Sequence, residues 1–431
     1  MADIRAEEIK SLMKDARAET LRLFDLVREI DLRESPGFGF RPVIWHLAHI
    51  GVFEGYWILQ KLFGENPLDE RYDRIFDPIN TPREDSKNLP SRREMENYLT
   101  RVREKIFRYL DESDFGGENP LMRDGFIFRM VLEHEYQHQE TLAYLLHMLS
   151  PEKKIRPQAR SPLNILSTLA RDMVIVPAGQ FEMGAREDSF VYDNEQPRHA
   201  VELPAFKIDR LLTTNEEYAR FVDEGGYERR EFWSDEGWQW RVKENWTCPL
   251  YWKRYGKSWR AQTMFDEGEL DSQHPVTGVS FHESEAYAHF MNKRLPTEEE
   301  WERAASWDFR SETKHRFAWG DTEPNSLLCN FNFNFWGTTP VGSFPAGASA
   351  AGCLDMTGNV WEWTSTPFAG YKGFKAFPYP EYSEVWFDGD HRVLRGGSWA
   401  TRAPLLRTTF RNFFRRQFRI AFAGIRCASD A

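Results

Sequence analysis

The chain has 431 residues, 29% of them charged, and a formal net charge of −11. That length suits two or three domains with sizeable cores; no apolar run nears the ~20 residues that span a bilayer, the charged start MADIRAEEIKSLMKDARAET has no signal-peptide core, and the acidic balance argues against a nucleic-acid surface. Four cysteines (Cys248, Cys329, Cys353, Cys427) stand far apart without a CxxC pair, which fits buried thiols in a reducing compartment, so a cytoplasmic protein is expected.

The first elements are helices. Apolar spacing predicts one from Ile9 to Ile30 and a second from Pro42 to about Phe63. A third follows Pro90-Ser91 over Arg92 to Leu110, and a fourth runs from about Gly125 to Leu149. Four such helices suggest an up-down bundle over residues 1–155. Residues 156–172, rich in proline and basic side chains, read as a linker, and 173–431 as a second domain. There VIVPAGQFEMG predicts a strand and turn, and VELPAFKIDRLLTTNEEYARFV a strand leading into a helix capped by Thr214 or Asn215. Short helices over Ser284–Asn292 and Thr297–Trp307 follow, among loops rich in Gly and Trp. Between Arg392 and Arg426 the chain carries nine arginines and no acid. Their interleaved glycines and aromatics favour structural ion pairs or carboxylate recognition over nucleic acid.

The segment EHEYQHQE, residues 133–140, holds the sharpest pattern. His134 and His138 are four apart, so on a helix both imidazoles share a face and reach one metal. Three readings stand open. The two histidines are satisfied by hydrogen bonds alone; or His134-Glu135-Tyr136-Gln137-His138 is the HExxH of a zinc protease with a downstream ligand; or a third ligand comes from the second helix. IWHLAHIGVFEGYW offers His46 and His49 there, and the spacing of Phe53 turns His49 toward the core. Three neutral imidazoles with open positions suit Fe(II) or Zn(II) alike.

LAHI, with His49, and the HxxxHxE of His134, His138 and Glu140 resemble the metal-binding bundle of the DinB-like family. VPAGQFEMG, EQPRHAVEL, HPVTGVSFHESEAYAHFMNKRLPTEEEWERAA, MTGNVWEWT, RVLRGGSWA and FAGIRCA resemble the formylglycine-generating-enzyme-like (C-type-lectin-like) fold. In this order the two resemble the sulfoxide synthases of ergothioneine biosynthesis, the EgtB family. The resemblance implies an α+β protein: a DinB-like four-helix bundle, then a loop-rich formylglycine-generating-enzyme-like domain. It also implies a non-heme Fe(II), O2-dependent enzyme that joins hercynine, or histidine, to a thiol, with its chemistry where the domains meet. Formylglycine-generating enzymes carry a copper-binding cysteine pair, but RGGSWATRAPLLRTTF has no cysteine, so copper-oxidase chemistry is not expected and Cys427 is read as a structural thiol.

Carried over residue by residue, the resemblance places the iron on His49, His134 and His138, and gives Gln137 to the substrate imidazole. FPYPEYSEVWF supplies a YxxY pair in which Tyr379 is the proton or hydrogen donor and Tyr382 helps hold the betaine. Asn412 matches a residue contacting the betaine's carboxylate or trimethylammonium end, and Phe413 adds cation–π attraction. Family members that use γ-glutamylcysteine carry an acid two residues after that asparagine; here Phe414 stands there, which favours cysteine or another small thiol. Arg83, Lys87, Arg415 and Arg416 are candidate contacts for the thiol's carboxylate. A structural Ca2+ is a further candidate, at Asn330, Asn332 or carbonyls near Gly358 and Val360. Alternatives are a selenosugar-using or ovothiol-type synthase, a zinc-dependent DinB-like hydrolase or thiol transferase, and a non-catalytic binding module. Only small-molecule partners are expected, with no nucleic acid and no membrane; the resemblance leaves the oligomeric state open.

Overall fold

The computed structural model describes residues 4–37, 39–79, 81–83, 86, 88–158, 170–186 and 190–431. The chain divides into two compact units, Met1–Pro157 and Gln158–Ala431. Most of the expected linker, 159–169, lies outside the described residues, as does Lys87. Among the described residues no helix is long and apolar enough to cross a membrane.

The first unit is built on α1 (Ile4–Phe24), α2 (Trp45–Glu54), α3 (Arg92–Glu112) and α4 (Phe126–Met148). α1 packs on α4, and α2 on both α3 and α4. α1 stops short of the expected Ile30, which is exposed. The chain leaves the helix because Leu26 and Val27 pair in extended fashion with Lys154 and Ile155, the Ile155 amide donating to the Leu26 carbonyl at 2.7 Å. α2 starts three residues after Pro42, then widens into a π-helix over Gly55–Leu62. A Cβ at Gly51 would sit 2.4 Å from Leu99 Cδ2, so this glycine lets α2 approach α3 closely. α3 begins at Arg92, where its sequence places it, and the structure adds a capping box there: Ser91 Oγ accepts from the Glu94 amide (3.3 Å) and Glu94 Oε2 from the Ser91 amide (2.8 Å).

Each helix gives one charge to a buried knot. Arg17 Nη2 meets Glu54 Oε2 at 2.9 Å and its Nε meets Glu135 Oε1 at 2.8 Å. Arg103 Nε meets Glu54 Oε1 at 2.6 Å and its Nη2 meets Glu135 Oε2 at 3.1 Å. Burial raises the Glu135 carboxyl, but the two guanidiniums outweigh it and the net shift is downward. Two carboxylates and two guanidiniums thus face one another across the four helices.

The second unit carries little regular structure for its size. VIVPAGQFEMG forms two strands, β1 (Met173–Val176) and β2 (Gly179–Met183), because Pro177 and the positive φ of Gly179 turn the chain between them. The single strand expected in VELPAFKID is likewise two, β3 (His199–Leu203) and β4 (Phe206–Asp209). β2 pairs with β3, while β4 lies between β1 and the C-terminal β9 (Ala428–Asp430). A second sheet has the order β7 (Asn412–Arg415), β6 (His391–Arg395), β5 (Trp361–Pro367), β8 (Ala423–Gly424), in which only β5 and β8 are parallel. Val174, Val176, Phe206 and Ile208 pack on Trp301 and Met356 in one core. Thr214, not Asn215, caps α5 (Asn215–Asp223), its hydroxyl accepting from the Glu217 amide at 3.3 Å. Helices α6 (Phe281–Phe290) and α7 (Glu298–Ser306) fall on the two short helices expected.

Four of the nine clustered arginines are buried against glutamates. Arg426 Nε meets Glu362 at 2.8 Å, Arg411 Nε meets Glu298 at 2.7 Å, Arg407 Nη2 meets Glu195 at 2.7 Å, and Arg395 meets Glu302. These side chains are internal braces, the structural ion pairs anticipated for this segment.

Candidate functional site

α2 and α4 bring His49, His134 and His138 together. One ring nitrogen from each lies within 4.8 Å of the others. His134 and His138 stand one turn apart on α4, with ring centroids separated by 4.4 Å, and His49 lies 4.8 Å from His138 and 5.3 Å from His134. His49 Nδ1 donates to the Phe76 carbonyl at 2.9 Å, which leaves Nε2 as its free lone pair. Trp45 stacks on the His49 ring at 4.5 Å and Phe53 on the His134 ring at 3.6 Å.

These imidazoles are neutral. Burial pushes His49 down to about 4, against the raising effect of its hydrogen bond to Phe76. Burial, followed by the neighbouring imidazoles, holds His134 and His138 well below the usual histidine range. His134 Nδ1 is buried without a hydrogen-bond partner in the protein, which costs about 1–3 kcal/mol unless something fills the position. Neutral imidazoles that bring one ring nitrogen each to within 4.8 Å of the others, on a trio that includes a residue with an unpartnered buried nitrogen, fit a bound metal ion.

Glu135 stands apart from this centre. Its oxygens accept from Arg17 Nε and Thr20 Oγ1, both at 2.8 Å, and from Arg103 Nη2 at 3.1 Å. A zinc protease needs that glutamate as a free base beside the metal-bound water. Here it is committed to the knot of arginines, so the HExxH spelling has no protease geometry behind it.

The tyrosine segment is held from below by a single turn, Asp193–Glu195. Asp193 Oδ2 accepts from the Phe377 amide at 3.1 Å and Oδ1 from Ser383 Oγ, so one carboxylate grips both ends of 377–383. Tyr379 and Tyr382 lie between, their rings 6.3 Å apart, with Tyr382 stacked on Tyr192 at 4.1 Å. Burial, then Asp193 and Glu381, raises the Tyr379 phenol above its ordinary range, so it stays protonated and is a donor rather than a base. The same turn reaches the next segment: Arg411 donates to the Asn194 carbonyl at 2.8 Å, and Arg407 and Thr409 bind Glu195. Asn412 and Phe413 follow directly on β7. Asn412 Oδ1 accepts from the Phe413 amide at 2.9 Å, and Phe413 stacks on Phe368 at 3.9 Å.

The DinB superfamily model matches residues 12–142, and the sulfatase-modifying factor enzyme 1-like domain matches residues 163–431. The hercynine oxygenase of Mycolicibacterium thermoresistibile is 38% identical over 437 residues, covering 99% of this chain and 95% of that protein. The chain belongs to the hercynine oxygenase family. The hercynine oxygenase of Mycobacterium tuberculosis is 37% identical over 435 residues, covering 98% of this chain and 99% of that one. Among solved structures, PvdO from Pseudomonas aeruginosa aligns with 63% of this chain and 100% of its own at 22% identity and a TM-score of 0.44. The family is thus one of oxygenases, and the α+β order of a DinB region before a sulfatase-modifying-factor-like domain holds over nearly the whole chain.

The remaining predicted residues of this family member are placed less suggestively. Gln137 is half-buried on α4, between the two helical histidines. Arg416 pairs with Glu236 at 2.6 Å and Asp390 at 3.2 Å, so its charge is already balanced. Arg83 is exposed and donates to the Gly39 carbonyl. Phe414 stacks on Phe418 at 4.5 Å. Asn330 Oδ1 and Asn332 Oδ1, offered for a structural Ca2+, are buried without protein donors. Sequence reasoning missed the Asp193–Glu195 turn and the four-charge knot. An available signal for the knot was the acid Glu54 within the run IGVFEGYW, which carries no other charge.

Proposed function

We propose that the protein is a non-heme Fe(II), O2-dependent sulfoxide synthase that joins the imidazole of hercynine, or of histidine, to cysteine or another small thiol. The carrying observation is the set of three neutral imidazoles, His49, His134 and His138, converging from two helices in a hercynine oxygenase relative. The balance of the reaction is an S–H and an imidazole C–H bond broken, a C–S and an S–O bond formed, and the second atom of O2 released as water. Iron held by the three histidines would supply the one-electron chemistry that O2 needs to react with closed-shell partners, and a common template for both substrates.

The chain's own residues take the other roles. Gln137, one turn from His134, offers a carboxamide to the substrate imidazole. Asn412, Tyr382 and the Phe413 face serve the carboxylate and trimethylammonium ends of the betaine. Tyr379, kept protonated by burial, holds a proton at its phenol oxygen for delivery during oxygen reduction. Phe414, stacked on Phe418 where a carboxylate would be needed for a dipeptide's amine, supports a small thiol. Arg83, exposed and donating to the Gly39 carbonyl, is one candidate cation for that thiol's carboxylate. The unpaired Asn330 and Asn332 oxygens support a structural Ca2+ in the second unit.

The test is anaerobic loading with Fe(II), then O2 uptake and product mass with hercynine or histidine against cysteine, γ-glutamylcysteine and a selenosugar. Cysteine with hercynine is expected to give the sulfoxide. His138→Ala is expected to abolish Fe(II) binding, and Tyr379→Phe to keep iron but divert turnover to thiol oxidation. A protein that binds no Fe(II), or that turns over without consuming O2, overturns the reading.

A further inference from the structure

The metal reading leaves His46 without a part. It sits on α2 three residues before His49, partly exposed, and lies outside the trio whose nitrogens converge. Yet His46 Nδ1 is 3.1 Å from His138 Nδ1, and Trp45 packs edge-on against the His46 ring at 5.3 Å. At that distance two ring nitrogens share one proton, one donating and one accepting.

Resting on the metal reading, we propose that His46 is a positioning residue that accepts the Nδ1–H of His138 and thereby commits His138 to bind the metal through Nε2. A neutral imidazole has one N–H and one lone pair. With Nδ1 facing His46, the nitrogen left for a metal is Nε2; its lone pair must then be free and the proton must sit on Nδ1. His138 is therefore the donor, and His46 accepts at Nδ1 and carries its own proton on Nε2. The arrangement repeats what the Phe76 carbonyl does for His49, which also has its Nδ1–H taken up and Nε2 free. Such an outer partner fixes ring orientation as well as tautomer. Because His46 is on α2 and His138 on α4, the bond also fixes the rotation of one helix against the other at the level of the site.

The test is Fe(II) affinity of the full chain by anaerobic chelator competition, with the visible spectrum of the Co(II)-loaded protein as a second reading of coordination. His46→Leu removes the acceptor; His46→Asn puts an amide oxygen near the place of Nδ1. Losing an outer-shell partner typically weakens metal binding about 10–100-fold. His46→Leu is expected to show that loss and an altered Co(II) spectrum with unchanged circular dichroism, and His46→Asn to recover most of the affinity. Wild-type affinity and spectrum in His46→Leu overturn the proposal while leaving the metal centre standing. A loss as complete as that of His138→Ala makes His46 a ligand and overturns it too, as does an Asn variant no better than Leu. If His46→Leu does not fold, His46→Asn alone decides: near-wild-type affinity with an unchanged Co(II) spectrum supports the bond, and a tenfold or greater loss overturns it. If the wild-type chain itself binds neither metal, the underlying metal reading falls instead.

Discussion

In the N-terminal unit the histidines ride on two regular helices, and one buried knot of Arg17, Glu54, Arg103 and Glu135 ties all four helices together. In the C-terminal unit the tyrosines, Asn412 and Phe413 lie on turns and short strands, and their backbone is held by side chains. Arg395 donates to the carbonyls of Thr409 and Phe410 at 2.7 and 2.8 Å, Arg411 to those of Asn194 and Ala369 at 2.8 and 3.0 Å, and Arg426 to that of Leu354 at 2.7 Å. A helix satisfies its own peptide groups except at its two ends, and needs outside help only for its caps and to choose its rotation. An irregular segment must find a partner for each buried carbonyl, and arginine, with five donors in a rigid fork, serves several at once. Cationic side chains thus orient helices in one unit and replace secondary structure in the other.

This contrast can be broken by mutation. Glu135→Ala leaves two buried guanidiniums short of a partner and is expected to cost about 3–5 kcal/mol, read as a lower urea midpoint with faster amide exchange confined to α1–α4. Arg426→Met strands Glu362 and frees carbonyls as well, so exchange should rise in the second unit at least as much. A smaller effect there would mean that the irregular backbone does not depend on its arginines. Asp193→Ala is expected to cost about 1–3 kcal/mol, with faster exchange over residues 377–383 and none in the first unit. Unchanged exchange in that segment would show that the stacking of Tyr382 on Tyr192 holds it instead. The smallest effects are the caps: Ser91→Ala and Thr214→Ala should each cost about 1 kcal/mol by chemical denaturation, the same in both units, because a helix start is local wherever it occurs.

Much of the N-terminal unit was legible because helices announce themselves by period and caps. α3 and α4 fall within two residues of their expected bounds, and α3 starts directly after Pro90-Ser91 as read. The error at Ile30 arose because apolar spacing continues past Phe24 while the backbone turns to pair with Lys154 and Ile155, a contact more than a hundred residues away in sequence. In the C-terminal unit the helices were legible, and the cap of α5 to within one residue, Thr214 or Asn215, but VELPAFKID and VIVPAGQFEMG were each read as one strand where two exist. Short alternating runs do not say where a strand changes partner.

What the amino-acid order determined by itself is local: the one-turn spacing of His134 and His138, the capped helix starts, and the motifs that carry the family. What only the tertiary structure decided is which groups meet. The 3.6-residue period could turn His49 toward the core, but it sets angles around one helix axis and not the rotation of α2 against α4, so it could not say that His46 would back His138. Nor could it turn Glu135 from a protease base into a partner of Arg17 and Arg103, since that depends on charges contributed by three other helices.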